Sequence, residues 1–180
     1  MALQHIIPQL PPDFPLPILI AQHMPPYFTG SLAERLNEMS RIRVVEGSDG
    51  EMVTPGKAIL APGGRHMKVV RAGDNCVIKL LRRIEGIIYV PSVDVLMKSA
   101  VKAYGGKLVG VILTGMGDDG LEGMRRIKES GGITIAQDEE SCVVFGMPKA
   151  CIEAGIIDEV LSLDEIPRRL VEIAAGRPRI

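Results

Sequence analysis

Apolar positions recur along this chain in two rhythms, and their alternation lays out the elements. Leu3, Ile6, Ile7 and Leu10 fall on one face at helical spacing, which predicts an opening helix over the first ten residues, weakened in its second half by Pro8. P-P-D-F-P-L-P (11–17) breaks the chain before a short continuous apolar strand, I-L-I-A, that ends at Gln22-His23. Pro25 and Pro26 stop that strand, and Phe28, Leu32, Leu36 and Met39 predict an amphipathic helix over Tyr27 to Met39. From Arg41 the runs I-R-V-V, K-A-I-L-A-P, H-M-K-V-V-R and N-C-V-I-K-L-L are short and rich in β-formers. The turns S-D-G, P-G-G and A-G-D separate them, so they read as a strand followed by antiparallel hairpins. Ser92 suits the N-cap of a helix through Tyr104, stopped by Gly105-Gly106, with Val93, Leu96, Met97 and Ala100 inward. A strand over 108–113, a helix over 119–129 and a strand over 133–136 follow in β-α-β order. A helix over 148–154, a strand near 158–161 and a final helix from Asp164 complete the pattern. Continuous apolar strands alternating with helices predict a mostly parallel sheet covered on both faces.

Composition narrows the class. The 180 residues suffice for one domain with a sizeable core. Lys and Arg total 21 against 22 Asp and Glu, and aromatic residues make up 3%, which argues against a nucleic-acid surface by charge and by stacking. Cys76, Cys142 and Cys151 form no C-x-x-C pair, so neither a zinc knuckle nor a redox motif is suggested, and reduced thiols in a cytoplasmic protein are expected. No apolar run approaches the ~20 residues that span a bilayer, and the N-terminus lacks the basic and apolar regions of a signal peptide. No metal site, cofactor or membrane insertion is expected.

Residues 114–120 read T-G-M-G-D-D-G directly after an apolar strand. Gly115, Gly117 and Gly120 satisfy the dinucleotide spacing G-x-G-x-x-G, and Asp138 stands where a ribose-binding acid belongs. The carboxylates of Asp118 and Asp119 would repel a pyrophosphate at that helix end, whereas they suit it as caps. A third role is chemical. His23 follows one predicted parallel strand and Asp119 another, and ligands bind at the carboxyl edge of such sheets. A His and an Asp meeting there would supply the base and orienting acid of a triad, which also needs a nucleophile. His5 and His66 are read as structural.

Five stretches in order, A-Q-H-M-P-P-Y-F-T-G-S-L-A-E-R-L-N (21–37), A-P-G-G-R-H-M (61–67), P-S-V-D-V-L-M (91–97), G-V-I-L-T-G-M-G-D-D-G (110–120) and S-C-V-V-F-G-M-P (141–148), resemble the catalytic domain of the CheB family of chemotaxis receptor methylesterases. The resemblance spans nearly the whole chain. It implies one catalytic domain over 1–180, a three-layer α/β/α sandwich with a mostly parallel, doubly wound sheet and an antiparallel hairpin. The implied activity is hydrolysis of glutamate methyl esters, and often deamidation of glutamines, on the cytoplasmic domain of methyl-accepting chemotaxis receptors. By the same resemblance His23 is the general base and Asp119 orients it. The backbone N–H of Met116 serves the oxyanion, and Gly115, Gly117, Phe145, Gly146 and Met147 line the crevice. His23→Ala and Asp119→Asn are expected to cripple hydrolysis with little loss of fold.

The chain departs from the family in one large respect. The family's serine lies in a G-x-S-T-G-G turn after its first strand, and M-A-L-Q-H-I-I-P-Q-L aligns with the helix after that turn. The first strand and the nucleophile are therefore expected to be missing, and the chain to be inactive alone and poorly stable or prone to association. A receiver domain is expected upstream in a full-length version. Ser31, Ser92, Ser141 and Cys142 sit in motifs where the family places no nucleophile, and Val90 replaces a usual Arg. Three readings stay open: an enzyme lacking its serine segment, a non-catalytic module binding receptor tails, and a nucleotide-binding module.

Overall fold

The structure, a computed structural model, describes residues 1–176. Helix α1 (Ala2–Ile6) passes into a 3-10 turn (Ile7–Gln9) where Pro8 removes a backbone donor, so the expected ten-residue helix is α-helical only in its first half. Strand β1 (Ile18–Ile20) leads through the Pro25-Pro26 corner into α2 (Phe28–Met39), whose face of Thr29, Leu32, Ala33 and Leu36 is buried. Strands β2 (Arg43–Glu46) and β3 (Lys57–Leu60) follow, then β4 (His66–Ala72) and β5 (Asn75–Leu81), then α3 (Val93–Tyr104). The second half alternates regularly: β6 (Val109–Ile112), α4 (Leu121–Glu129), β7 (Ile133–Gln137), α5 (Met147–Glu153), β8 (Glu159–Leu161) and α6 (Glu165–Ala174).

The expectation of antiparallel hairpins after β2 is corrected in part. Among the described residues β4 and β5 are the only two strands that pair antiparallel, Val69 opposite Ile78, with one further antiparallel bridge from Met52 to Val77 of β5. Strand β3 instead runs parallel to both β1 and β2, in the order β1-β3-β2. Its residues Lys57 to Leu60 are all buried, as befits a central strand covered on both faces, and that continuous burial is what hairpin strands with one wet face lack.

The other parallel strands form a second sheet, β6-β7-β8. Among the described residues β1 pairs only with β3 and β6 only with β7, so each of these two strands presents an unpaired edge. The two sheets are joined by side chains. Ile18 and Ile20 of β1, Val109 and Val111 of β6, and Ile135 of β7 share one core with Leu3, Ile6, Ile7 and Leu10 from the amino-terminal segment. A second core under α3 and α4 gathers Val93, Ile112, Met124, Ala136 and Cys151. Each fully buried Leu or Ile contributes about 1.5–3 kcal/mol, so these shared clusters hold the halves together without ladder hydrogen bonds between β1 and β6.

Candidate active site

His23 lies just beyond the carboxyl end of β1, and Asp119 beyond that of β6. The two sheets bring them together: His23 Nε2 stands 2.6 Å from Asp119 Oδ2. Asp119 is 6% exposed, so its charge survives only if its lone pairs are engaged. They all are. Besides His23, Oδ2 accepts from the N–H of Val93 at 2.7 Å, while Oδ1 accepts from Ser92 Oγ at 2.8 Å and the N–H of Asp94 at 3.1 Å. Burial opposes the ionised form, but His23, the two backbone donors and Ser92 together hold the Asp119 carboxyl below its ordinary range. With Nε2 committed to Asp119, His23 Nδ1 has no hydrogen-bond partner among the described residues.

The carboxylate does not cap the helix that follows it. Asp119 caps α3 from outside, while Ser92 caps the same helix from within by accepting from the N–H of Val95. Helix α4 begins after Gly120, whose φ of 105° is open to glycine and whose Cβ would sit 2.7 Å from Ile112 Cδ1. Its first turn is served by α3 in return, Gly123 N–H donating to Asp94 Oδ1 at 2.6 Å. Burial raises the Asp94 carboxyl against the pull of that N–H, and the Asp119 charge adds to the rise. The end of α4 that a pyrophosphate would occupy thus already faces a carboxylate.

Tyr89 stacks on His23 with ring centroids 4.5 Å apart and planes 12° from parallel. His23, Met24, Pro25, Tyr89 and Val90 line an open depression of about 270 Å³. A larger concavity of about 380 Å³, bounded by Lys128, Gly131, Gly132, Ile133, Asp158 and Glu159, lies at the amino ends of β7 and β8. Its Lys128 and Asp158 are paired with each other, and it is on the edge away from which α/β sheets bind ligands.

The loop after β6 is buttressed by the loop before α5. Gly115 bridges Phe145, Gly115 N–H donates to the carbonyl of Val144, and Gly115 O accepts from the N–H groups of Gly146 and Met147. A Cβ on Gly115 would run into Met147 Sδ, and Met147 itself enters the core beneath. Met116 is 76% exposed, and its N–H has no acceptor among the described residues. The hydroxyls and thiol weighed as substitute nucleophiles are otherwise occupied or remote: Ser31 is exposed on α2, Ser92 serves Asp119, and Ser141 donates to Asp138 at 2.6 Å. Burial pushes the Cys142 thiol up, away from thiolate. His66 is buried, its imidazole pushed down by burial, with Nδ1 accepting from Ser92 N–H at 3.3 Å. Among the described residues no group of three or more His, Cys, Asp or Glu could hold a metal. Among the described residues no helix is long and apolar enough to cross a membrane.

Sequence reasoning missed Tyr89, since a stacking partner from a distant loop has no local signature. It read Ser92 as a cap, without its second bond.

The sequence model described as CheB methylesterase matches residues 1–170. A protein of Pseudomonas putida named protein-glutamate methylesterase/protein-glutamine glutaminase of group 1 operon is 49% identical over 172 residues, 96% of this chain and 46% of that protein. An Archaeoglobus fulgidus protein-glutamate methylesterase/protein-glutamine glutaminase is 52% identical over 170 residues, 94% of this chain and 49% of its own length. The chain therefore spans about half the length of the curated relatives it matches. The crystal structure of the Thermotoga maritima CheB methylesterase catalytic domain superposes with a TM-score of 0.93 at 45% identity, covering 96% of this chain and 91% of that one.

Proposed function

The chain belongs to the CheB methylesterase family, and on that footing we propose that it provides the base, the orienting acid and the oxyanion loop of a protein-glutamate methylesterase. The observation that carries the reading is the 2.6 Å contact between His23 and a fully engaged Asp119 at the carboxyl ends of strands from two sheets. The serine belongs, on this reading, to a further strand lying between the unpaired edges of β1 and β6, in the G-x-S-T-G-G turn of the family. A strand parallel to both would end beside His23 Nδ1.

His23 Nδ1 takes the serine proton as the oxygen attacks the ester carbonyl, and Asp119 stabilises the imidazolium that forms. Charge developing on the carbonyl oxygen meets the unengaged N–H of Met116. His23 then returns the proton to the departing methoxide, releasing methanol, and water repeats the cycle to free glutamate. A glutamine side chain would leave ammonia instead. The substrates are side chains on the cytoplasmic domain of chemotaxis receptors, and a receiver domain is expected upstream in the full-length protein.

A non-catalytic reading, occupancy of receptor tails, has one observation in its favour: no hydroxyl or thiol among the described residues bonds to His23 Nδ1. Methanol release from methylated receptor separates the two. Residues 1–180 joined to a strand carrying the G-x-S-T-G-G turn should release methanol, and the His23→Ala form of that protein should not. Turnover surviving His23→Ala at the original rate would sink the triad, and binding without any turnover would leave the module reading.

A further inference from the structure

The residues that surround Asp119 form a closed exchange between two helices. The first turn of α3 gives Asp119 three donors, Ser92 Oγ, Val93 N–H and Asp94 N–H. Asp119 lies in the loop that enters α4, and the first turn of α4 gives Asp94 one donor back, Gly123 N–H at 2.6 Å. The Ser92 hydroxyl is engaged both as donor and as acceptor: its proton goes to Asp119 and its oxygen accepts from Val95 N–H. Its own backbone N–H is held by the buried His66 of β4. Ser92, Val93, Asp94 and Gly123 do not line the depression at His23, which Tyr89, Val90 and the Met24-Pro25 corner bound.

We propose that Ser92 is a positioning residue for the His23–Asp119 pair, with Asp94 as its counterpart from the reciprocal cap, so that the first turn of α3 fixes which carboxylate oxygen His23 meets. A carboxylate turns freely about its last bond unless both oxygens are pinned. Here Oδ1 is pinned by Ser92 and Asp94, which leaves Oδ2 aimed at His23 Nε2. Removing the Ser92 proton leaves Oδ1 on a single, longer bond from Asp94 N–H, so that only this bond and the Val93 N–H on Oδ2 keep the carboxylate in its orientation toward His23. A residue that merely capped α3 would affect helix stability and leave the His23 contact alone. The inference rests on the triad reading only for its consequence in hydrolysis, because the geometry it describes exists without turnover.

The experiment is NMR on the 180-residue protein, with two readouts that need no activity. One is the downfield proton resonance of the His23–Asp119 hydrogen bond, and the other is the carboxyl titration of Asp119. Ser92→Ala should remove or move the downfield proton and shift the Asp119 titration up by about one pH unit, the size of one lost bond to a charged acceptor. Ser92→Thr, which keeps the hydroxyl, should restore both. If Ser92→Ala lowers melting temperature but leaves both readouts where they were, Ser92 is a cap only and the proposal falls. Should Ser92→Ala fail to fold, Ser92→Gly, which also lacks the hydroxyl but is tolerated at an N-cap, decides it: a moved downfield proton supports the clamp and an unmoved one overturns it. Native spectra on a chain that hydrolyses nothing even with a serine strand supplied would sink the triad reading and leave this inference standing.

Discussion

Replacing Asp119 by Asn is the substitution that best separates what the sequence suggests from what the structure requires. An isosteric change at an orienting acid is expected to cost activity and spare the fold. In the structure, however, four donors converge on the Asp119 carboxylate: His23 Nε2, Val93 N–H, Ser92 Oγ and Asp94 N–H. An amide offers one oxygen. If that oxygen faces Ser92 and Asp94, the amide nitrogen faces His23, which can answer by changing tautomer, and Val93 N–H, which cannot. One buried backbone donor is then stranded, at about 1–3 kcal/mol, and the surviving bonds lose the charge that made each worth about 1.5–3 kcal/mol. The net loss should be about 3 kcal/mol. For a chain of this length that corresponds to a fall in melting temperature of roughly 6–12 °C. His23→Ala is the control, since its partly exposed ring leaves room for water to replace its bond, and its shift should be much smaller. Thermal denaturation followed by circular dichroism reads both. An Asp119→Asn protein melting within about 2 °C of the parent would refute the claim that the four donors depend on the charge.

Gly120→Ala should destabilise by at least about 1–2 kcal/mol from its left-handed backbone alone, and the contacts its Cβ meets at Ile112 and Val93 should add to that in urea titrations. Arg169→Leu leaves Glu159, buried and otherwise held by two 2.8 Å bonds, without its cation; a loss of about 3–5 kcal/mol is expected by denaturant unfolding. On the acid side the sign follows from the lowered carboxyls. Asp119 and Asp158 sit below their ordinary values in the fold, so their stabilisation is complete above the unfolded carboxylate range and is lost as pH falls through the lower folded values. Melting temperature should therefore decline below about pH 4, and less steeply in Asp158→Asn. Cys151 is fully buried with its thiol pushed up to about 12, so it should resist a thiol reagent at pH 8 until denaturant is added.

Much of the architecture was legible because its signals are local. Ser92 before an apolar helix, the Gly105-Gly106 stop and the apolar strand ahead of T-G-M-G-D-D-G each mark an element within a few residues. The placement of His23 and Asp119 at one edge followed from the parallel order of their strands. What escaped was decided at long range. Strand β3 looks like a hairpin strand in sequence because its partner β1 lies forty positions away, Ile18 opposite Ala58. Asp119 seemed a cap for α4, its neighbour in sequence, and turned out to cap α3, whose first turn lies 26 residues earlier at Val93. Tyr89 could not be found at all, because only the fold lays its ring over His23.

The reciprocal caps also bear on how the molecule comes apart. Two parallel sheets that exchange no ladder hydrogen bonds would ordinarily be free to melt as separate units, each at its own temperature. Here the first turn of α3, which packs on the β4–β5 hairpin, is completed by a residue that follows β6, and the first turn of α4 is completed by a residue of α3. Neither half can lose its structure without uncapping a helix in the other. Unfolding is thereby made a single event, and a calorimetric trace of this protein should carry one peak in which both sheets disappear together.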